Sequence, residues 1–596
     1  MNKSEPDWSI SENHFATADG VSIYYRHWQP NQVNQYVRTI VILHRGHEHS
    51  GRVAHIVEEL GFKDTSFFAW DARGNGKSEG ERGYSPDFAT LVNDLELFIR
   101  HISEKYQIPI SSIIIIAQSL GAVIATTWVH DYAPKIKALI LTSPAFKLHL
   151  RYPGALIAVK IWQKIKGNFY LKSYIKGKEL SHDLNRATSY HNDPLVSLQI
   201  SSNLLIGIFD TSARIVSDAQ AIQVPTLLLI SEEDKIVHKK VQEEFYLALG
   251  SSIKEKHNFS GFFHDTLGEK ERYKAFKAIK NFIEKVEFIY VPINLKNSDQ
   301  KGVTYDEYVQ SILPIPFYSI KNIYYFFLKS YIKMVGKRIS KGLKLSHQFG
   351  LNSPISLEYI YNNQPEAIGV MKNVGIGKYL DKKYLDRLIW KGLRIRKSNL
   401  ENLVGKYVKK LNKSEVSVSI LDVATGHGGC ILNIVDLYKD KIDSILLCDV
   451  NESNVRAGEK YIKQNKLQNK AQCLKSDFFS ESLFSNIKFL PTLSIISGFC
   501  ELFPDNNKLN HALELLTGII PKGGYLIYTN QSGHTHNEIL NRILNKSSLK
   551  NKTPQIIRRR IQAEMDQLIE NFGFEKVEQL IDPWGIYTVS VAKKFK

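Results

Sequence analysis

A chain of 596 residues is too long for a single hydrophobic core, and 43% apolar with 23% charged residues marks it as globular, which excludes a disordered or fibrous protein. The opening MNKSEPDWSISENHF has no apolar stretch ahead of a small-residue cleavage site, and no run reaches the ~20 apolar residues of a bilayer span, so a cytoplasmic protein is expected. The net charge of +18 admits an anionic membrane or nucleic acid as partner, but no nucleic-acid recognition motif accompanies it and none is expected to bind.

In chain order, short apolar strands are predicted at TIVILH, SFFAW, SIIIIA, ALILT and PTLLLI, separated by helix-length segments. This is the pattern of a doubly wound α/β domain, whose chemistry gathers at the carboxyl ends of the strands. The third strand runs into Ala117-Gln118-Ser119-Leu120-Gly121 and then a small-residue helix start. Strand, sharp turn, serine and helix is the layout of a nucleophile elbow, with Ala117 where the first glycine of G-x-S-x-G usually stands. A single extra methyl is a mild steric departure. After the fifth strand comes Asp234, and later His264 in a loop before a helix, which is the hydrolase order of nucleophile, acid and base. Ser119, Asp234 and His264 are therefore the candidate catalytic residues, with the Leu120 amide as one oxyanion donor and the loop LHRGHEHSGR as source of the other.

That loop, His44-Arg45-Gly46-His47-Glu48-His49-Ser50-Gly51-Arg52, and the later Asp71-Ala72-Arg73-Gly74-Asn75-Gly76-Lys77-Ser78 carry a resemblance. Together with the elbow they resemble the monoacylglycerol lipase and lysophospholipase branch of α/β hydrolases over about residues 10–285. The resemblance implies a second oxyanion donor at Gly46, a lid over the acyl pocket at about 144–218, and a lipid-like acyl ester as substrate. Arg45 and Asn75 depart from the branch's glycine and histidine. Ala117 and Arg45 also support an alternative, in which the hydrolase fold is catalytically silent and serves as a lipid-binding or scaffolding module.

Residues 147–178 hold eight Lys or Arg and no acid, and residues 311–345 hold seven, again with no acid and interleaved with aromatics. Such segments suit peripheral contact with an anionic membrane, at the inner face for a cytoplasmic chain, or else form solvated basic faces. VPINLKNSDQKG is the expected junction, and 286–350 is read as a basic, aromatic-rich linker or helical region.

A second α/β pattern begins at VSILDVATGHGG and continues through SILLCDV, TLSIISG and GGYLIYTN. The turn from Asp422 to Gly429 lets backbone approach a ligand, and Asp449, twenty-seven residues after Asp422, stands where ribose hydroxyls are bound. A further strand ends at Ser476-Asp477-Phe478. The D-x-x-x-G-x-G form behind a helical stretch resembles class I S-adenosylmethionine-dependent methyltransferases. With SLEYIYNNQPEAIG, IWKGLRIRK, SGFCELFPDNN, YTNQSGHTH and DPWGIYTVSVAKK, the chain resembles one bacterial family that fuses an α/β hydrolase to a methyltransferase. The resemblance implies a Rossmann-like domain at 351–596 with S-adenosylmethionine as cofactor. Asp422, Ala424, Gly426 and Gly428 would meet the donor's methionine end, Asp449 its ribose and Asp477, with Phe478, its adenine. Ser497, Gly498 and Glu501 would border the methyl group. Tyr528, Asn530, His534, His536, Glu564 and Asp566 are candidates for the acceptor side, and Arg558-Arg559-Arg560 for a phosphate or carboxylate grip or a solvated helix face. The four cysteines form no C-x-x-C pair, so neither a metal site nor a disulfide is expected.

Overall fold

The computed structural model describes residues 7–31, 38–289, 294–350, 353–366, 375–426, 429–481, 487, 489–533 and 557–595. The chain divides into two compact units, residues 1–293 and 294–596. Among the described residues no helix is long and apolar enough to cross a membrane.

The first unit is built on β1 (Trp8–Ala16), β2 (Ser22–Pro30), β3 (Arg38–Leu43), β4 (Thr65–Trp70), β5 (Ile113–Gln118), β6 (Ala138–Thr142), β9 (Thr226–Ser231) and β10 (Lys254–Phe259), in the order β1-β2-β4-β3-β5-β6-β9-β10. Strands β3 to β6, β9 and β10 run parallel, whereas β1, β2 and β4 pair antiparallel, so the sheet is mixed. Every residue of β5 is buried, because helices cover both faces of a parallel sheet and leave no polar side to alternate with. Strand β1 is mostly exposed and polar, which is why its sequence carries no strand signal. Ile40, Ile42, Ile114 and Ile116 of the sheet meet Ile279, Phe282 and Ile283 of the helix Tyr273–Glu287 in one core.

Between β6 and β9 lies an insertion. It contains helices Ala155–Lys166, Leu184–Asn192 and Ser202–Ser217 and a ribbon of β7 (Tyr170–Lys172) with β8 (Gln199–Ser201) that periodicity did not reveal.

The second sheet runs β13 (Ala471–Lys475), β12 (Ser444–Asp449), β11 (Ser419–Val423), β14 (Leu493–Ile496), β15 (Tyr525–Gln531), β17 (Tyr587–Lys594) and β16 (Phe574–Ile581). Its first five strands are parallel, and β16 and β17 close the edge antiparallel. The helix Leu388–Lys413 packs Leu400, Val404 and Val408 with Ile420, Ile527 and Val591 of the sheet. Strand order reverses beside β11, which opens a crevice at the carboxyl ends of β11 and β14.

The middle stretch is helical over Val303–Ile312 and Ile320–Tyr331, and hydrogen bonds tie its start to the second unit. Asp299 accepts from the Asn506 amide at 2.8 Å, and Glu307 pairs with Arg559 at 2.6 Å. The first unit's last helix runs to Glu287, past the expected boundary at 285.

Candidate functional site

Ser119 is the first residue of the helix Ser119–Tyr132 and holds φ at 49°, the left-handed region that a side chain enters only under strain. The strain is held by packing on both sides. Ala117 is fully buried between Leu43 and Leu141, and a Cβ at Gly121 would lie 2.5 Å from the His44 carbonyl oxygen. The glycine after the serine is therefore required for the helix to approach β3, while alanine before it fits.

His264 Nε2 lies 2.8 Å from Ser119 Oγ, and its Nδ1 lies 2.7 Å from Asp234 Oδ2. The other Asp234 oxygen accepts from the Ile236 and Val237 amides at 2.8 and 3.0 Å. Burial works to raise the Asp234 pKa, but the His264 ring and those two amides outweigh it and hold the carboxyl below its usual range. The three residues thus form one hydrogen-bonded chain from elbow to acid. Leu120 is the second residue of its helix, so its N–H is among the four that have no acceptor within the helix. Gly46 and Leu120 line the same pocket as Ser119 and His264, a cavity of about 940 Å³ with its mouth included, whose apolar walls include Leu91, Ile124, Leu204 and Ile208.

Arg45, the bulky residue beside Gly46, is buried at 3% exposure and turned into an ion-pair network. Its Nε and Nη2 each donate to Glu48 at 2.7 Å, and Nη2 lies 3.2 Å from Asp265. Glu48 also takes Arg52 at 2.6 Å, and Asp265 takes Arg186 of the inserted helix Leu184–Asn192 at 2.9 Å. Burial opposes ionisation of Glu48, yet Arg45 and Arg52 hold its pKa down at about 2. The sequence showed the departure at Arg45 but nothing of these partners, which lie up to 220 residues away at Asp265. The Asp71-to-Ser78 motif is structural: Asp71 accepts from the Ser50 and Lys77 amides, and Arg73 pairs with Asp94 and Asp19.

In the second unit Asp422 closes β11 at 3% exposure with Oδ1 lacking a hydrogen-bond partner among the described residues. Burial, helped by the nearby Asp449 charge, pushes its pKa up to about 7. Asp449 ends β12 and accepts from Gly426 N at 2.9 Å, Asn451 N at 2.8 Å and Asn454 Nδ2 at 3.0 Å. Ala424 and Gly426 both adopt positive φ, at 64° and 63°, and a Cβ at Gly426 would meet nothing within 4 Å among the described residues. An orphaned buried carboxylate oxygen, open space over the turn and a second carboxylate at the next strand end suit a donor with an ammonium group and a ribose. His427 and Gly428 lie outside the described residues.

Asp477 is exposed and accepts from the Phe479 amide at 3.0 Å. Phe478, read as an adenine partner, is instead buried at 4% exposure with its ring centroid 5.1 Å from that of Phe499, because the turn sends it into the core. Ser497 and Gly498 are half-buried after β14, and Gly498 N donates to Thr529 Oγ1 at 2.7 Å. Glu501 is buried there, with one oxygen 3.2 Å from Arg396 Nη1 and Oε2 without a partner among the described residues. Arg396 lies over the Tyr587 ring at 5.1 Å, and sequence reading missed it because its helix precedes every motif strand.

The acceptor-side candidates are largely structural. Tyr528 Oη donates to Asp566 at 2.9 Å, Asn530 Nδ2 to the Arg560 carbonyl at 3.0 Å, and Glu564 accepts from Arg558 at 2.5 Å. His534 and His536 lie outside the described residues. Arg558, Arg559 and Arg560 are neither a phosphate grip nor a solvated face: all are at most 2% exposed. They are saturated by Glu564, Asn506 and Thr304, by Glu307 and Ser532 O, and by Cys500 O and Phe503 O. A buried guanidinium is tolerated only with such partners, so these three act as pins between segments distant in sequence. Cys448, Cys473 and Cys500 are free thiols.

Comparison with known proteins gives both halves relatives. A family model described as "Putative methyltransferase" matches residues 279–594, and one described as "Serine aminopeptidase, S33" matches residues 34–271. "Uncharacterized protein YnbC" of Escherichia coli K12 is 40% identical over 588 residues, 98% of either chain. A monoacylglycerol lipase of Mycolicibacterium smegmatis is 23% identical over 46% of this chain and 96% of its own. The crystal structure of Paleococcus ferrophilus monoacylglycerol lipase covers 47% of this chain and 99% of its own at 23% identity and a TM-score of 0.39.

Proposed function

Since this chain belongs to the "Putative methyltransferase" family and carries an α/β-hydrolase domain ahead of that region, we propose that it is a bifunctional enzyme. Its first half is a serine ester hydrolase acting on a lipid-like acyl ester, an acylglycerol or lysophospholipid, and its second is an S-adenosylmethionine-dependent methyltransferase. The observation that carries the hydrolase reading is the continuous 2.8 and 2.7 Å chain from Ser119 through His264 to Asp234, on a serine held at positive φ.

In this reading Ser119 Oγ attacks the acyl carbon as His264 Nε2 takes its proton. Asp234 holds the ring's other nitrogen and balances the imidazolium. The Leu120 and Gly46 amides receive the oxyanion. His264 then protonates the departing alcohol, and water repeats the sequence to release the acid. The apolar pocket favours an acyl chain, and relatives named monoacylglycerol lipase accord with that.

In the second half S-adenosylmethionine supplies the methyl group. Asp422 would hold its ammonium, the turn at Ala424 and Gly426 its methionine end, Asp449 its ribose and Asp477 its adenine edge. Ser497 and Gly498 would border the transfer.

Contact with an anionic membrane at the inner face rests on two helices. Ala155–Lys166 buries no residue and exposes Ile157, Ile161, Trp162 and Ile165 beside Lys160, Lys164 and Lys166. Ile320–Tyr331 exposes Ile323, Tyr324, Phe326 and Phe327 in a stretch without acids. An exposed apolar face flanked by lysines is the make-up of an interfacial helix. Flotation with anionic vesicles is expected to carry the protein upward, and Ile161→Glu with Phe327→Glu to leave it at the bottom. A wild type that stays down refutes the membrane contact.

The test of the joint reading is methyl transfer from labelled S-adenosylmethionine into a bacterial lipid extract. Label in the organic phase is expected. Label confined to the aqueous phase, with donor binding intact, rules out a lipid acceptor and leaves the hydrolase reading standing.

A further inference from the structure

We propose that Arg186, on the inserted segment between β6 and β9, is a positioning residue for the base His264 and acts on it through Asp265. The inference rests on the hydrolase reading and extends it from the triad to the insertion.

The ring of His264 is held by Ser119 and Asp234, but its backbone is held from the insertion. The residue before it, Phe263, donates its amide to Glu269 at 3.0 Å, and Glu269 also takes the His182 amide at 3.1 Å. The residue after it, Asp265, donates its amide to the Leu180 carbonyl at 2.7 Å. Ser181 Oγ donates to the Gly268 carbonyl at 2.8 Å, and Arg186 Nε to Asp265 Oδ2 at 2.9 Å. Residues 180–186 thus grip the loop on both sides of the base. Asp265 and Glu269 are at most 2% exposed, so the grip is made beneath the surface.

The loop is shaped around the Arg186 pair in particular. A Cβ on Gly268 would collide with both Arg186 Nε and Asp265 Oδ2, so a glycine stands where the guanidinium lies. The rest of the fork is fixed as well. His55 Nε2 donates to the Leu267 carbonyl at 2.8 Å, which leaves its Nδ1 to accept from Arg186 Nη1 at 3.3 Å. Arg186 Nη2 donates to the Arg52 carbonyl at 3.4 Å. Asp265 Oδ1 has no hydrogen-bond partner among the described residues, so the carboxylate is anchored through Oδ2, by Arg186 and, at 3.2 Å, by Arg45. Without Arg186 it keeps only the longer contact, to an arginine that Glu48 also holds. A buried charge stripped of a partner shifts to be re-solvated, and the residue next to it is the base. A displacement of about 1 Å in a catalytic group costs roughly a hundredfold in rate.

Leu180 and Tyr190 of the same segment line the pocket together with Ser119 and His264. The insertion therefore has two parts with different duties. Helix Ala155–Lys166 buries no residue, whereas residues 180–186 belong to the framework that holds the base.

The test compares two esters of one acyl chain on the full-length protein, 4-nitrophenyl octanoate and ethyl octanoate. Nitrophenolate departs unaided, whereas an alkoxide needs the proton that His264 delivers. A base out of place slows the ethyl ester more, while a partly unfolded population slows both alike. Arg186→Gln is expected to lower kcat/KM for ethyl octanoate about tenfold or more beyond its fall for the nitrophenyl ester. Arg186→Lys is expected to restore part of that ratio. Gly268→Ala, which drives the guanidinium from Asp265 with Arg186 still present, is expected to reproduce the change. An unchanged ratio in Arg186→Gln, or in Gly268→Ala where only that variant folds, overturns the positioning role and leaves the hydrolase reading standing. A wild type that cleaves only the nitrophenyl ester has no proton delivery to position and overturns the role too. A wild type that cleaves neither ester overturns it together with the hydrolase reading.

Discussion

Replacing Ser119 with alanine abolishes covalent labelling by a fluorophosphonate and lowers esterase turnover by a factor on the order of a million, the loss expected when a triad loses its nucleophile. The expectation follows from how much of the elbow serves one atom. Ser119 is held at φ 49° by a helix that could not approach β3 without Gly121, and its Oγ is the group that His264 Nε2 meets. Alanine at the same φ keeps the fold and removes only the nucleophile. Asp234→Asn is the partner test. Asparagine leaves His264 a side chain to bond with but removes the charge that balances an imidazolium, so turnover is expected to fall about ten-thousand-fold with the fold retained. Retained labelling in Ser119→Ala would place the reactive group elsewhere and sink the assignment. A wild type that never labels would leave the hydrolase fold as the silent module that Ala117 and Arg45 first suggested.

Substituting Asp422 with asparagine is expected to stabilise the unliganded protein at pH 8 while weakening donor binding at least tenfold. The sign follows from its pKa, about 7 in the folded chain against an ordinary 3.8, with burial as the main cause. Between those values the folded state holds a proton that the unfolded state has released, so stability falls as pH rises from about 4 to about 7 and stays reduced above it. At about 1.4 kcal/mol per pH unit the reduction reaches roughly 4 kcal/mol at most. Asparagine carries no charge to desolvate and escapes the loss. The donor's ammonium would supply the missing countercharge. Affinity for S-adenosylhomocysteine should therefore rise up to tenfold per pH unit from pH 5.5 to 7, then level off, and the variant should show no such slope. Thermal melts across pH with calorimetry on both proteins check the two halves separately. A flat wild-type binding profile would remove Asp422 from the donor site.

Both effects concern residues visible in the sequence as ends of apolar strands. Four isoleucines before a small-residue turn, and Ser-Ile-Leu before Asp422, are local signals, since a strand buried on both faces must be apolar throughout. Ser119 and Asp234 were legible for the same reason, since each follows such a strand, whereas His264 was legible only from the order of nucleophile, acid and base and its loop before a helix. Strands β1, β10 and β16 gave no such signal, because an edge strand with one wet face needs no apolar run. The arginines misled. Arg558, Arg559 and Arg560 look like a basic patch in one dimension, but their partners Glu307, Asn506 and Thr304 come from segments that only folding delivers.

The amino-acid order by itself pointed to two α/β units, to the ordered trio Ser119, Asp234 and His264, and to the carboxylates at the carboxyl ends of β11 and β12, because strand burial and turn chemistry are properties of neighbouring residues. Only the tertiary structure decided which charges are buried and paired. It turned Arg45 onto Glu48 and Asp265, set Arg396 against Glu501, left Asp422 Oδ1 without a hydrogen-bond partner among the described residues and sank the triple arginine into the second unit. A charge's cost depends on what surrounds it in space, and that is not written along the chain.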